Sequence, residues 1–312
     1  MLKLMQHPLV SIIIPSYNQG KFIRETIQSC LDQDYRPIEI IVQDGASSDE
    51  TVEVLKGFNA PELFWLSEPD KGVVDAVNKG IARTRGEILT IQSSDDVFLP
   101  GAICAAVEAL QKNPDAGLVY GDVKHIDAKS VVTGEDVQGE FDLAAYLGRF
   151  QYIPQPGTCF TRVAMEQAGQ WRDAYSYAAD ADFWMRIVTC FPVLKLSRFV
   201  AAYRYHPEQR DTYKARIARD WEGAIVDLLA NSNLSTRQRR YAAMGVHLAK
   251  YRYAPESAWV LRTRELYAAA MANPAAVIDK RFPKWELLPG RSPIWSLLSR
   301  IKRGMGFKPR TS

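Results

Sequence analysis

The sequence predicts an α/β protein with a mostly parallel central sheet flanked by helices, followed by a helical C-terminal extension. Three observations carry this. Strand-then-helix units follow one another from residue 8 to 112. Their strands are unbroken apolar runs, as a sheet covered on both faces requires. From about residue 209 to 274 the periodicity is helical only. The expected division is 1–208 for the α/β domain and 209–312 for the extension.

The first unit opens with "PLVSIIIPSY" (8–17), β-branched and bounded by prolines, which reads as a buried strand. "NQGKFIRETIQSCLDQ" then places Phe22, Ile23, Thr26, Ile27, Cys30 and Leu31 at helical spacing. "PIEIIVQDGASSDET" repeats the theme with a strand at 38–42, a turn, and a helix capped by Asp49 or Ser48. "LFWLS" leads to "VVDAVNKGIART", and "EILTIQ" leads to "GAICAAVEALQK". Past residue 115 come "GLVYGDVKHID", a loop-rich section with "YIPQPGTCFTR", the helix "DADFWMRIVTCF", and two strand-like runs at 193–197 and 199–205.

Composition excludes several classes. The 39 basic and 36 acidic residues give a net charge of +3, so nothing general favours nucleic acid as a partner. Cys30, Cys104, Cys159 and Cys190 lack the CxxC spacing of zinc or redox sites and read as reduced core residues of a cytoplasmic protein. The N-terminal apolar run is too short to span a bilayer and is followed by no small-residue cleavage site. Only Gly20 lies in the first strand–helix turn, against the GxGxxG that a nicotinamide-binding fold needs.

In such sheets ligands sit beyond the carboxyl ends of the strands. Asp44, Asp95 and Asp96 all fall there, on one rim. Single acids at strand ends commonly serve turns. A convergent set also suits a hard cation, because Mg²⁺ or Mn²⁺ takes one or two protein carboxylates and completes its shell with phosphate and water. A receiver domain would place its paired acids after the first strand, where "PSYNQG" has none.

The segments "VSIIIPSYNQGKFIRETIQSCLDQDYRPIEIIVQDGASSDET", "EPDKGVVDAVNKGIARTRGEILTIQSSDD", "PQPGTCFTR" and "AADADFWMRI" resemble, in order across about residues 8–205, the inverting glycosyltransferases of family 2 with the GT-A fold. The resemblance implies that Pro15, Tyr17 and Asn18 line a nucleotide pocket and that Asp44 accepts from a ring nitrogen of the base, UDP being favoured. It implies that "SSDD" is a shortened DxD site in which Asp96 binds a divalent metal (Mn²⁺ or Mg²⁺) and Asp95 contacts the ribose side, Ser94 standing where the pattern has an acid. Lys71, Asp75 and Asn78 correspond to the segment beside the donor's ribose and sugar. Asp180, with Asp182 in reserve, corresponds to the general base, and Ala179 replaces the usual Glu before it. His206, in "YRYHPEQR", corresponds to a residue reaching back to the metal or diphosphate. Gln155 and Trp184 are candidate acceptor contacts, Trp184 offering an apolar face to a sugar ring or else serving as a core residue.

The implied activity is transfer of a sugar from a nucleotide-diphosphate sugar to a hydroxyl of a saccharide or lipid-linked acceptor in cell-surface polysaccharide synthesis. The alternative is a non-catalytic, nucleotide-sugar-binding or scaffolding member, suggested by Ser94 and Ala179. In "IWSLLSRIKRGMGF" Ile294, Trp295, Leu297, Leu298 and Ile301 share a helix pattern with Arg300, Lys302 and Arg303, which suits an anionic membrane interface, intramolecular docking or a partly ordered tail; peripheral contact at the inner face of the cell membrane is the favoured expectation.

Overall fold

The structure is a computed structural model that describes residues 7–209 and 213–283. The basic tail segment, 291–312, lies outside them. In chain order the elements are β1 (Val10–Ser16), α1 (Ile23–Leu31), β2 (Ile38–Asp44), α2 (Thr51–Lys56), β3 (Leu63–Ser67), α3 (Val73–Arg83), β4 (Ile88–Ile91), β5 (Val97–Phe98), α4 (Ala102–Lys112), β6 (Leu118–Ile126), β7 (Val132–Asp136), α5 (Leu143–Leu147), β8 (Cys159–Thr161), α6 (Arg162–Ala168), α7 (Ala179–Val188), β9 (Val193–Arg204), α8 (Lys214–Asn231), α9 (Thr236–Tyr253) and α10 (Trp259–Ala272). They form two compact units: Met1–Phe141 with Tyr152–Thr212, and Asp142–Gln151 with Tyr213–Ser312.

The first unit is one sheet in the order β3-β2-β1-β4-β8-β6-β9-β5, with β7 paired to β6. The predicted strand–helix units make its parallel half: β1 runs parallel to β2 and β4, and β2 to β3. Beyond β4 the sheet is mixed, because β8 is antiparallel to both β4 and β6, β5 is antiparallel to β9, and β6 is parallel to β9.

Both faces of the parallel half are covered, which is why its strands lack polar alternation. Val10, Ile12 and Ile14 of β1 and Ile40 and Val42 of β2 pack with Ile23 and Ile27 of α1 and Ile103 and Val107 of α4. Each such side chain, fully buried, stabilises the fold by about 1.5–3 kcal/mol. On the opposite face α3 approaches through Gly80, where a Cβ would stand 2.4 Å from the Ile13 methyl. A side chain there would push α3 off the sheet and distort the loops at its ends.

Three local expectations change. The two runs after residue 192 are a single strand, β9, whose exposed Ser197 and Arg198 interrupt its apolar pattern. Glu50, rather than Asp49 or Ser48, precedes the first residue of α2, although Asp49 still accepts from the Thr51 N–H. All four cysteines are free, but only Cys30 and Cys159 are core residues; Cys104 is partly exposed and Cys190 exposed.

The second unit is helical. Ser235 and Gln238 form a reciprocal capping box at the start of α9. Gly245 lets α9 meet the Leu147 carbonyl of α5, where a Cβ would fall at 2.0 Å. Met244, Leu248, Tyr251, Leu266, Ala269 and Phe282 form its core. No helix among the described residues is long and apolar enough to cross a membrane.

Candidate active site

The carboxyl ends of β2, β1 and β4 carry the predicted residues. Asp44, the last residue of β2, is fully buried and accepts from the Ser47 N–H at 2.9 Å, the Ser47 hydroxyl at 2.5 Å and the Ser67 hydroxyl at 2.6 Å. The structure thus brings Asp44 to the expected edge but spends both its oxygens on tying the ends of β2 and β3 together. Pro15 is the last residue but one of β1, in register with Gln43, and Tyr17 follows the strand, 61% exposed.

Asn18 has a φ of 52° and is clasped by the β2–α2 loop: its N–H donates to the Ser47 hydroxyl at 2.7 Å and its Oδ1 accepts from the Ser48 N–H at 2.9 Å. Asparagine tolerates that left-handed backbone better than most residues. The Gly20 N–H donates to Asp49. Burial pushes the Asp49 carboxyl up, but hydrogen bonds from the Thr51 hydroxyl and the Gly20 amide outweigh it and hold the group below its ordinary range. Between these loops lies a cavity of about 270 Å³, lined by Asn18, Lys21, Phe22, Ser48, Asp49, Glu50 and Glu208.

Past β4 the two acids of "SSDD" separate sharply. Asp95 places Oδ2 2.9 Å from Nε2 of His206, and its side chain keeps some exposure. Asp96 is fully buried; its Oδ1 accepts from the Arg204 N–H at 2.8 Å, and its Oδ2 has no hydrogen-bond partner. Burial, and then the charge of Asp95, push the Asp96 carboxyl well above the usual carboxylate range. The two acids thus have different surroundings. Asp95 is the acid that meets the histidine and reaches the rim, while Asp96 stands behind it in the interior.

Arg204, which sequence reasoning missed, builds this corner. Its side chain is fully buried and donates to the Asp95 carbonyl at 2.6 Å, the Asp127 carbonyl at 3.0 Å, the Ser130 hydroxyl at 2.9 Å and Glu25 at 2.7 Å. The guanidinium also lies over the Phe22 ring, which in turn packs on His206. Thr26 completes the frame by donating to the carbonyls of Ser94 and Asp96. A charged residue inside the strand that ends beside "YH" was the available signal.

Among the described residues no three His, Cys, Asp or Glu side chains are grouped as a self-sufficient metal cage. A carboxylate with an imidazole beside it, and a buried carboxylate oxygen lacking a partner behind it, is a donor set that fits a hard divalent ion sharing its shell with a diphosphate.

The remaining predicted residues fall into two groups. Asp75, in the first turn of α3, accepts from the Lys71 N–H at 3.1 Å and pairs with Lys79 at 3.2 Å, with Lys71 itself exposed. Gln155 accepts from the Ser93 hydroxyl at 2.7 Å and donates to the Ile91 carbonyl, which fixes it against the end of β4. Asn78 clamps the backbone of Trp171, donating to its carbonyl and accepting from its N–H at 3.0 Å.

The two candidate bases on α7 have different surroundings. Ala178 precedes the helix and makes no side-chain cap, so neither aspartate is the capping residue. Asp182 is 1% exposed, and its carboxylate is held by the guanidinium groups of Arg172 and Arg186. Asp180, one residue into the helix, is half-buried. Trp184 is 1% exposed and packs edge-on against Phe160, so it is a core residue with no face for a sugar.

Residues 11–163 match Glycosyl transferase family 2. An uncharacterized glycosyltransferase of Mycobacterium tuberculosis is 34% identical over 191 residues, which cover 60% of this chain and 71% of the relative. This chain belongs to glycosyltransferase family 2. Its fold is shared by S. aureus TarS in complex with UDP-GlcNAc, with a TM-score of 0.65 at 16% identity over 84% of this chain and 81% of that one. It is shared also by a mannosyltransferase from Pyrobaculum calidifontis in complex with GDP-Man and Mn²⁺, with a TM-score of 0.63 at 20% identity over 98% and 82%. The GT-A fold expected from the sequence is therefore the fold observed.

Proposed function

We propose that this family 2 glycosyltransferase moves a sugar from a nucleotide-diphosphate sugar to a hydroxyl of a saccharide or lipid-linked acceptor in cell-surface polysaccharide synthesis, inverting the anomeric centre. The observation that carries the reading is the Asp95–His206 pair at the rim of the sheet, framed by Arg204 and next to the loops that Asp44 holds. The donor's nucleotide lies against Pro15, Tyr17 and Asn18, and UDP is the favoured nucleotide because TarS was solved with UDP-GlcNAc. Asp44 acts through the loop it fixes, by holding Ser47 in place beside Asn18.

Asp95 and His206 would hold Mn²⁺ or Mg²⁺. When bound, the metal supplies Lewis-acid neutralisation of the departing diphosphate. Lys71 and Asp75 stand toward the donor's sugar side, and Gln155 toward the acceptor. Asp180 takes the proton of the attacking hydroxyl as general base, a role worth on the order of 10² to 10⁴ in rate. It is half-buried in the first turn of α7, and Asp182 is almost fully buried between two guanidinium groups. In-line attack on an oxocarbenium-like centre needs no protein nucleophile and inverts configuration.

The test is nucleotide release from a panel of UDP-, GDP- and dTDP-sugars with Mn²⁺ and saccharide acceptors, followed by the anomeric configuration of the product. Release with inversion supports the reading. Binding of a sugar nucleotide without turnover would favour a non-catalytic role, and retention would remove the single-displacement route.

A further inference from the structure

The second unit carries more positive charge than its own acids can pair, with 20 Lys and Arg against 8 Asp and Glu. Several of its cations do have a carboxylate: Arg237 pairs with Asp142, Lys250 with Glu222 and Arg281 with Asp279. Arg149 and Arg252 have none at ion-pair distance among the described residues. They are nevertheless neighbours, because Nη1 of Arg252 donates to the Arg149 carbonyl at 2.5 Å.

Arg149 stands where α5 ends. The residue that closes a helix in the left-handed conformation is commonly glycine, yet here Gly148 keeps a negative φ and Arg149 takes a φ of 62°. The Arg149 guanidinium lies over two rings, with Cζ 4.3 Å from the centroid of Trp221 and 5.2 Å from that of Tyr253. Aromatic faces attract the cation but offer no lone pair to its N–H groups. Nη2 donates to the Tyr253 hydroxyl at 2.6 Å, Nε is buried without a partner, and Nη1 donates to no group among the described residues. Desolvation by the surrounding chain, and then the positive charge of Arg149, hold the Arg252 guanidinium below its ordinary range. Part of Arg252 stays open to solvent.

Two guanidinium groups with spare donors, and a hydroxyl that accepts from one of them and can still donate its own proton, make a set that offers donors to a ligand. Like charges this close repel unless an anion lies beside them. A doubly charged group offsets both at once, which a single carboxylate does not, and the planar fork of arginine matches phosphate oxygens two at a time. We infer that Arg149, Arg252 and Tyr253 form an anion site for a phosphate or diphosphate group, carried by a soluble compound or by a lipid. Arg252 meets the anion from the solvent side, and Arg149, fixed by its two rings, meets it from within. The site belongs to the second unit alone and is independent of the transfer reaction.

The experiment is titration calorimetry of the full chain with inorganic pyrophosphate in EDTA, where no divalent metal can hold pyrophosphate at the sheet edge. A second arm is flotation with vesicles of phosphatidylcholine, with and without phosphatidic acid. Pyrophosphate should bind, less tightly as salt is raised, and Arg252→Gln should weaken it by about 10- to 100-fold. Arg252→Lys, which keeps the charge without the fork, should fall between the two. Far-UV circular dichroism checks that both variants fold. His206→Ala, altered at the sheet edge, should bind as the unaltered protein does. Flotation only with phosphatidic acid, lost in Arg252→Gln, would assign the phosphate to a lipid; pyrophosphate binding without flotation would assign it to a soluble compound. If neither ligand is bound in a way that Arg252→Gln weakens, or if pyrophosphate binding is lost in His206→Ala and kept in Arg252→Gln, the assignment is overturned.

Discussion

Nε2 of His206 lies 2.9 Å from Oδ2 of Asp95, joining residues 111 positions apart at the carboxyl edge of the sheet. The pair turns two unremarkable polar residues into a donor set for a cation, because a carboxylate and an imidazole at hydrogen-bond distance can both turn to one ion. His206→Ala and Asp95→Asn should each lower Mn²⁺-supported turnover by about 10- to 100-fold and raise the Mn²⁺ concentration needed for half-maximal rate. Asp96→Asn should disturb the metal requirement less, since Asp96 sits behind Asp95 and its amide analogue still accepts from the Arg204 N–H. Metal titration of the three variants separates these roles.

Arg204 holds that pair in place from inside the protein. Arg204→Lys keeps the charge but loses the planar fork that serves the Asp95 and Asp127 carbonyls, Ser130 and Glu25 at once. The expected cost is about 3 kcal/mol, read by denaturant unfolding, together with a loss of transfer activity as the Asp95 loop loosens. An unchanged midpoint would show that the network contributes little.

Asp182→Asn should destabilise the fold by about 3 kcal/mol, because two guanidinium groups on and beside α7 would lose their buried counter-ion. Where the variant stays folded, donor turnover should persist. Thermal unfolding and nucleotide release, measured side by side, check both halves.

Glu39 predicts a pH dependence. Burial pushes its carboxyl up, but hydrogen bonds from the Ser11 hydroxyl and from Arg85, with the Arg85 charge, outweigh burial and hold it below the ordinary glutamate range. A lowered folded pKa stabilises the fold fully at pH above the unfolded value, about 4.3, and the contribution is lost as the pH falls through the lower folded value. Glu39→Gln should therefore make the acid limb of the stability–pH curve shallower below about pH 5. Urea midpoints across that range measure it.

The parallel half of the sheet was legible because β1, β2 and β4 are buried on both faces and its turns are rich in Asp, Ser and Gly; the edge strand β3 falls on "LFWLS" as read. The mixed half was harder. β5 has two residues and β8 three, too short for any periodicity, and β9 carries exposed polar residues at its middle. At the site, the rim positions of Asp44 and Asp95 followed from strand ends alone. What each carboxylate does there depended on contacts far apart in sequence: Ser67 for Asp44, His206 for Asp95, and the backbone of Arg204 for Asp96. The surroundings of Asn78 and Trp184 were hidden for the same reason, since the Trp171 backbone that Asn78 binds and the Phe160 ring that Trp184 packs on leave no trace in their local pattern.

The most direct measurement is the rate of sugar transfer by Asp180→Asn against the unaltered protein, with donor affinity measured separately by nucleotide-sugar binding. A fall in kcat of about 10² to 10⁴ with donor affinity unchanged is the predicted result. Undiminished transfer by Asp180→Asn would contradict the assignment of Asp180 as the base that activates the acceptor.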